Sequence, residues 1–302
     1  MVNRSSIVRL GLLLTLLIMP VVMTIGCAGE PAPTSQSPAT EVAVPTEEAP
    51  LPATEAAELP QKLEDVTLTV FAAASLADAF TQMGKQFDAA NPGVTTEFNF
   101  AGSNQLATQI NEGAPADVFA SANIAQMDAV VESGMAAADA PVLFVTNRLV
   151  VVIPADNPGE IQSLQDLAEP GKLIVLAAEE VPVGRYSLEF LDKASADPAF
   201  GDSFRDDVLA NVASYEENVR SVLNKVALGE ADAGIVYTSD LFGVAGIESL
   251  EIPDALNVLA EYPIAALSGS ENPGVAAAFV EYVLSTPGQA VMMYFGFSPS
   301  VR

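Results

Sequence analysis

The chain contains no histidine, no tryptophan and a single cysteine, Cys27. Without histidine the usual base of a Ser-His-Asp triad is missing, and no G-x-S-x-G elbow occurs, so a serine hydrolase with Ser75 as nucleophile is a remote alternative. Zinc sites are built mostly from His and Cys ligands, which this composition does not supply. One cysteine cannot form an intramolecular disulfide, which leaves Cys27 available for another role.

Basic residues are scarce, with 12 Lys and Arg against 39 Asp and Glu and a formal charge of −27. Residues 66–302 alone carry nine basic and 31 acidic side chains, a charge of −22. Nucleic-acid binding relies on basic side chains that neutralise phosphates, so we expect no nucleic-acid partner. An acidic protein also repels anions at long range, so any anion site here must be built from local dipoles.

Residues 1–26 are typical of a secretory signal peptide. Two cations, Arg4 and Arg9, precede the apolar run Leu10–Ile25, and a small residue, Gly26, ends the segment. The apolar run is shorter than the about 20 residues that a membrane-spanning helix needs. We therefore expect cleavage, with an uncleaved anchor as the alternative.

Cys27 stands where a lipid would be attached. Residues 24–27, TIGC, resemble a bacterial lipobox with Thr where that motif usually has Leu. We expect lipidation of Cys27, since two or more acyl chains anchor a protein stably, and an unmodified cysteine is the alternative. Residues 28–65 are rich in Pro, Thr, Ser, Ala and Glu. This composition predicts a disordered tether, so residues 27–65 form the lipidated cysteine and its tether.

From Val66 onward, short runs typical of β-strands alternate with helical patterns. The alternation predicts an α/β fold with largely parallel sheets covered by helices. The expected strands are Val66–Phe71, Val94–Phe100, Ala116–Ala120, Arg148–Ile153, Lys172–Ala177, Asn211–Tyr215, Ala233–Tyr237 and Leu256–Ile264. The expected helices begin after Ser75, Ser103, Asn123, Ser163, Val183, Asn218 and Pro273, and the last one runs to about Phe295.

The run Arg148–Pro154 is almost continuously apolar, as in a strand that is buried on both faces. We place a crossing between two lobes just before it, near Asn147, and a return crossing near Tyr262. Residues 66–147 and 261–302 then form lobe one, and residues 148–260 form lobe two. A cleft between two lobes is a common place for a small ligand to bind.

Four segments share a pattern in which a strand is followed by a turn and then by a helix start. They lie at residues 70–76, 98–104, 180–186 and 215–220. A helix N-terminus exposes unpaired N–H groups and about half a positive charge, so several that converge can bind an anion without any cation. Each residue also has a simpler interpretation: Ser75, Ser103 and Asn218 are good N-caps, and Tyr237 suits a half-buried strand.

Six stretches, in this order, span most of residues 66–297: Val70–Leu76, Phe100–Ser103, Gly113–Ala122, Val181–Tyr186, Asn218–Arg220 and Gly234–Asp240. Together they resemble the periplasmic molybdate-binding proteins of ABC transporters. The resemblance implies the type II periplasmic-binding-protein fold, which is α/β and two-lobed with a ligand cleft between the lobes.

The resemblance also implies how an oxyanion would be held. The hydroxyls of Ser75 and Ser103 would come from lobe one, and the N–H groups of Val183 and Val219 and the hydroxyl of Tyr237 from lobe two. All of these groups can donate, and no Asp or Glu is among them to accept a hydrogen bond from the ligand. A fully deprotonated dianion is therefore favoured over protonated phosphate. Molybdate, tungstate and sulfate meet this condition, and the resemblance favours molybdate or tungstate.

The function implied is that of a monomeric substrate-binding lipoprotein, anchored by its lipid at the outer face of the cell membrane, that delivers the oxyanion to an ABC permease. No enzymatic activity, cofactor or metal cation is expected. A binding protein for a small organic ligand is the alternative, although it would need an Arg–carboxylate clamp or aromatic walls. We leave Arg185 outside the site as a solvated helix residue, and Arg220 and Asp117 as structural residues that pair across a turn.

Overall fold

The structure is a computed structural model that describes residues 65–300. The predicted signal peptide, Cys27 and the predicted tether up to residue 64 lie outside the described residues. Within residues 65–300, no helix has both the length and the apolar character that crossing a membrane requires.

Residues 65–300 form a mixed α/β structure of ten strands and eight α-helices. The strands are β1 (Val66–Ala73), β2 (Val94–Ala101), β3 (Val118–Ala120), β4 (Val142–Pro154), β5 (Ile174–Ala177), β6 (Val212–Glu216), β7 (Ala233–Tyr237), β8 (Ile247–Glu251), β9 (Leu259–Ala266) and β10 (Ser298–Pro299). The helices are α1 (Ala77–Ala90), α2 (Ser103–Asn111), α3 (Ile124–Glu132), α4 (Pro182–Ser195), α5 (Phe204–Ala210), α6 (Val219–Ala227), α7 (Pro273–Leu284) and α8 (Thr286–Tyr294). Short 3-10 helices span Ala74–Leu76, Leu164–Ala168 and Thr238–Leu241.

The strands form two sheets that share β4, in the order β2-β1-β3-β9-β4-β7-β5-β6. Residues 142–148 of β4 pair with β9, and residues 149–152 pair with β7. We call β2, β1, β3, β9 and the start of β4 the first sheet, and the end of β4 with β7, β5 and β6 the second sheet. The short strand β10 pairs with the start of β4, and β8 pairs with its end.

The expectation of largely parallel sheets is correct only for part of each sheet. Strand β1 runs parallel to β2 and β3, and β5 runs parallel to β6 and β7. The pairs that involve β4 or β9 are antiparallel, because these two strands connect the sheets and run against their neighbours. The parallel strands place the turns after β1, β2, β5, β6 and β7 at carboxyl ends, where α/β proteins commonly bind ligands.

Several expected elements need correction. Strand β4 starts at Val142 rather than Arg148, and β8, β10 and α5 were not expected. The helix expected from Pro273 to Phe295 is interrupted at Ser285, whose hydroxyl oxygen accepts from the Gly288 N–H at 3.3 Å and so caps α8. The helix expected after Ser163 is the 3-10 helix Leu164–Ala168.

Apolar cores hold helices on both faces of the first sheet. On one face, Phe80 and Phe87 of α1 pack against Phe279 of α7, with the Phe87 and Phe279 ring centroids 5.2 Å apart. On the other face, Leu106 of α2 and Met127 of α3 belong to a second buried cluster. Burial stabilises such contacts by about 25 cal/mol per Å² of apolar surface, which keeps the helix starts in fixed positions at the sheet edge.

A buried ion pair ties the 3-10 helix after β7 to α6 and α1. Asp240 is fully buried, and its Oδ2 accepts from the Tyr237 N–H at 3.0 Å while its Oδ1 lies 3.1 Å from Nε of Arg220. Nη2 of Arg220 also donates to Oδ2 of Asp78 on α1 at 2.7 Å. Burial raises the pKa of Asp240 to about 6, against the opposing effects of the Arg220 guanidinium and the Tyr237 N–H.

The raised pKa of Asp240 predicts a pH-dependent stability. Between about pH 4 and pH 6 the folded chain holds a proton on Asp240 that the unfolded chain releases, so the free energy of unfolding decreases as pH rises through this window. When the pH is lowered from 7 to 5, we expect the free energy of unfolding of the wild type to rise by about 1 kcal/mol relative to that of Asp240→Asn. Urea unfolding of both proteins at the two pH values measures this difference, and an identical pH response in both would contradict it.

Candidate functional site

A small cavity opens where turns from both sheets meet. Its lining comes from the turns after β1, β2, β3, β5 and β6 and from the end of β7: Ala73, Ala74, Ser75, Ala101, Gly102, Ser103, Ala122, Val181, Pro182, Val183, Asn218, Val219 and Tyr237. The five residues predicted to hold an oxyanion are all among them, although they lie far apart in the chain. These five residues therefore line a single space rather than separate surfaces.

The two serines are buried, and the hydroxyl oxygen of each lies within hydrogen-bond distance of another protein group. Ser103 Oγ accepts from the Ala122 N–H at 3.0 Å, which leaves the hydroxyl proton free for another acceptor. Ser75 Oγ lies 2.9 Å from the hydroxyl oxygen of Tyr262. The exposed fractions of Ser75 and Ser103 are 3% and 1%, so neither hydroxyl can rely on bulk water.

Tyr237 contributes a hydroxyl that is buried and has no hydrogen-bond partner in the structure. Leaving such a group unpaired costs about 1–3 kcal/mol, so a partner in the cavity would be favourable. Burial, together with the nearby Tyr262 and Tyr186, raises the pKa of Tyr237 well above its ordinary value of 10.0. The hydroxyl therefore keeps its proton at physiological pH and can act as a donor.

Two helix N-termini supply the backbone donors. Val219 is the first residue of α6, so its N–H has no acceptor within the helix. In α4 the first residue is Pro182, which has no N–H, and the N–H of Val183 is thus the first one available. Gly184 lets α4 start close to β5, because a Cβ there would overlap the carbonyl oxygen of Ala178.

The N-cap interpretation is correct for Asn218 and wrong for the two serines. Asn218 Oδ1 accepts from the Ser221 N–H at 3.0 Å, as a cap does. Ser75 instead lies inside the 3-10 helix Ala74–Leu76, and Ser103 is the first residue of α2, for which Gly102 is the N-cap. Tyr237 is fully buried at the end of β7 rather than half-buried. Capping therefore does not explain the positions of Ser75 or Ser103.

The cavity is small and carries no charged side chain. Its volume is about 10 Å³, far below the range of about 300–1,000 Å³ typical of sites for drug-sized organic molecules. Among residues 65–300, no group of three or more His, Cys, Asp or Glu side chains is arranged to hold a metal ion. The site can thus offer a small anion several hydroxyl and N–H donors and no charged partner.

The residues left outside the site do not line the cavity. Arg185 is exposed on α4, as expected. The expected pairing of Arg220 and Asp117 across a turn is wrong, because Arg220 contacts Asp78 and Asp240, whereas Asp117 accepts from the Thr69 N–H at 2.7 Å and from the Ser270 hydroxyl. Both residues are structural, but they belong to different networks.

Contacts across the mouth of the cavity join elements packed on different sheets. Nε2 of Gln105 on α2 donates to Glu217 Oε2, just before α6, at 3.0 Å. A Cβ added to Gly102 would lie 2.5 Å from the carbonyl oxygen of Glu217, so the backbones approach closely here and only glycine fits. The cavity is therefore closed on this side by direct protein contacts.

Sequence reasoning missed the groups behind the site. Tyr262 of β9 and Asn147 of β4 are buried, and Nδ2 of Asn147 lies 3.5 Å from the Tyr262 hydroxyl and 2.7 Å from Ser239 Oγ. Tyr262 is 187 residues from Ser75 in the chain, so no local pattern indicates their contact. A tyrosine followed by proline in an apolar strand was the only available signal, and it was interpreted as a lobe crossing alone.

Comparison with known proteins agrees with this geometry. Residues 68–298 match the model of a family described as bacterial extracellular solute-binding protein. The chain is 42% identical over 233 residues to the molybdate-binding protein ModA of Mycobacterium tuberculosis, covering 77% of this chain and 84% of that protein. It is 33% identical over 238 residues to ModA of Escherichia coli, covering 76% and 88%.

Among solved structures, the periplasmic molybdate-binding protein of Azotobacter vinelandii matches with a TM-score of 0.67 at 19% identity and covers 78% of this chain and 100% of that one. At that identity the match shows the fold, which is the two-lobed fold of periplasmic binding proteins. The family match covers most of the residues that the structure describes, including every turn around the cavity. The chain therefore belongs to the bacterial extracellular solute-binding proteins.

Proposed function

We propose that this chain is the substrate-binding lipoprotein of an ABC importer and that it binds molybdate or tungstate outside the cytoplasm. The observation that carries the proposal is the buried Tyr237 hydroxyl, which has no partner and lines the same cavity as Ser75 and Ser103. Relatives named for molybdate binding support the choice of oxyanion. Delivery to a membrane permease follows from membership of the family.

In the proposed binding mode, the ligand accepts hydrogen bonds from the hydroxyls of Ser75, Ser103 and Tyr237 and from the N–H groups of Val183 and Val219. Hydrogen bonds to a charged group are the stronger kind, and here they form away from water. The lining contains no carboxylate that could accept a hydrogen bond from a protonated ligand. A fully deprotonated dianion therefore suits the site better than protonated phosphate.

We also propose the lobe division and its use. Residues 66–147 and 261–302 form lobe one, residues 148–260 form lobe two, and the ligand bonds to both. Strand β4 changes partner from β9 to β7 between Arg148 and Leu149, next to the proposed crossing, while β9 joins the first sheet from Leu259 onward. A ligand bound to both lobes favours the closed cleft because it gains its full set of donors only there.

Catalysis is not part of the proposal. A serine nucleophile needs a base within hydrogen-bond reach, and the group beside Ser75 Oγ is the Tyr262 hydroxyl. Burial raises the pKa of Tyr262 above its ordinary value of 10.0, so this hydroxyl stays protonated and is a poor base at physiological pH. The protein is proposed to act as a monomer without a cofactor.

A panel of ligands tests the proposed function. We expect molybdate and tungstate to raise the thermal unfolding midpoint, since a ligand at 100 times its Kd adds about 2.7 kcal/mol of stability. Sulfate is the control for size, because it has the same charge and shape, and glutamate is the control for an organic ligand. Stabilisation by glutamate and by none of the oxyanions would contradict the proposal and favour an organic substrate.

Substitution of a single hydroxyl tests the binding mode. We expect Ser75→Ala to weaken molybdate binding by about 1.5–3 kcal/mol, or roughly 10- to 150-fold in Kd, because it removes a hydrogen bond to a charged group. Isothermal titration calorimetry measures the change. Ser133→Ala is the matched control, because the Ser133 hydroxyl bonds to Asn111 and Val130 and does not line the cavity. An unchanged Kd for Ser75→Ala would remove Ser75 from the site.

The proposed anchor has a separate test. Mass spectrometry of the protein extracted from cell membranes is expected to show acyl groups on Cys27 as the new N-terminus, and Cys27→Ser is expected to release the protein from the membrane fraction. Two or more acyl chains would account for stable attachment. A soluble secreted product with an unmodified Cys27 would contradict lipidation and leave the proposed ligand unaffected.

A further inference from the structure

A row of buried polar groups lies directly behind Ser75. It runs from the Ser75 hydroxyl to the hydroxyl of Tyr262 and on to the side-chain amide of Asn147. The exposed fractions of Tyr262 and Asn147 are 0% and 1%, so water does not compete for these bonds. The distance between the Ser75 and Tyr262 hydroxyls does not show which of them is the donor. The direction of this hydrogen bond follows from the groups around Tyr262.

The orientation of the Asn147 amide is fixed by the backbone N–H of Arg148, which can only donate. The backbone N–H of Arg148 donates to Asn147 Oδ1 at 3.0 Å, and the Thr238 hydroxyl donates to the same oxygen at 3.0 Å. The opposite orientation of the amide would turn its NH₂ group toward the Arg148 N–H. Nδ2 of Asn147 therefore faces Ser239 Oγ at 2.7 Å and the Tyr262 oxygen at 3.5 Å, and it can donate to both but accept from neither.

The Asn147 amide in turn determines which way the hydrogen bond between Tyr262 and Ser75 runs. Its oxygen accepts from Asn147, so its own proton needs an acceptor, and Ser75 Oγ lies 2.9 Å away. Burial raises the pKa of Tyr262 above its ordinary value, so the proton is present at physiological pH. If Ser75 donated instead, the Tyr262 proton would be left unpaired in the interior, which is costly.

We propose that Tyr262 is a positioning residue that makes Ser75 an obligate hydrogen-bond donor toward the cavity, an inference that rests on the proposed oxyanion function. Because Ser75 Oγ accepts from Tyr262, the Ser75 proton points to the remaining direction, into the space that Ser75 lines. A ligand oxygen at that position must accept, so an oxygen that carries a proton is rejected there. Tyr262 thus contributes to selectivity without lining the cavity.

Ser103 provides an internal comparison. Its Oγ accepts from the backbone N–H of Ala122 at 3.0 Å, so its proton is directed in the same way by the backbone. No side-chain substitution at Tyr262 alters that bond. Tyr262 therefore acts on Ser75 alone, and the effect of changing Tyr262 is expected to disappear when the Ser75 hydroxyl is absent.

A double-mutant cycle with Tyr262→Phe and Ser75→Ala tests this dependence. We expect Tyr262→Phe to weaken molybdate binding about 5-fold in the wild-type background and less than about 2-fold in the Ser75→Ala background, because the lost bond acts only through Ser75. Calorimetry gives the four Kd values. Tyr282→Phe is the matched control, because the Tyr282 hydroxyl donates to Gln86 Oε1 at 2.6 Å and neither residue lines the cavity. We expect this substitution to leave the Kd for molybdate unchanged.

Selectivity provides a second measurement. Inorganic phosphate at pH 6 carries at least one proton, so the wild type should bind it far more weakly than molybdate. In Tyr262→Phe the Ser75 hydroxyl is free to turn and accept, and we expect the ratio of phosphate Kd to molybdate Kd to fall about 5-fold or more. Should Tyr262→Phe fail to fold, Asn147→Ala, which removes the donor to Tyr262, is expected to lower the ratio in the same direction.

The outcomes separate two kinds of failure. Equal losses of molybdate affinity from Tyr262→Phe in both backgrounds, or an unchanged ratio of phosphate to molybdate Kd, would show that Tyr262 only packs against the site. Failure of the wild type to bind any oxyanion would instead contradict the proposed function, and with it the role of the Ser75 proton.

Discussion

The arrangement of the molecule depends on neutral donors that converge on one buried space. Residues 66–302 carry a charge of −22, yet none of the side chains around the cavity is charged. Long-range repulsion is screened over about 8 Å at physiological salt, whereas hydrogen bonds formed away from water keep their strength. Fixed hydroxyls and helix N-termini can therefore hold an anion on an acidic protein, provided that their positions are rigid.

Rigidity comes from the packing behind the donors. Apolar cores hold the helices on the first sheet, and Arg220 joins the start of α6 to Asp78 on α1 and to Asp240 behind Tyr237. The hydroxyl oxygen of Ser75 is hydrogen-bonded to Tyr262, and that of Ser103 accepts from the Ala122 N–H. The site thus has little freedom to adjust to a ligand of another shape, because moving one donor would disturb several buried contacts.

The sequence predicted most of what depends on local pattern. The strands that lead into the site, β1, β2 and β7, are visible as short runs typical of β-strands, and the helix starts after β1 and β2 are marked by serines. Strand β8 was missed because its residues, IESLE, are largely polar, and it forms by pairing with β4. The break between α7 and α8 was missed because the apolar pattern continues across Ser285, where a cap and a nearby proline outweigh it.

The site residues were predicted from their resemblance to a known family, whereas the groups that orient them were not predicted. Contacts such as Ser75 with Tyr262, and Arg220 with Asp78, join residues that only the folded topology brings together. Their residue types carry no signal by themselves, since a buried tyrosine is usually core and an arginine on a helix is usually solvated. Prediction from one sequence therefore finds the donors more readily than the contacts that control them.

Strand β4 belongs to both sheets, and its partners change from β9 to β7 directly after Arg148. A rotation of the proposed lobe two against the proposed lobe one would twist the backbone at this point. Asn147, whose amide begins the row of bonds that leads to Ser75, is the neighbouring residue. The point where β4 changes sheets and the start of this row of bonds thus share one stretch of backbone, so a twist of that backbone would also move the groups that orient the Ser75 hydroxyl.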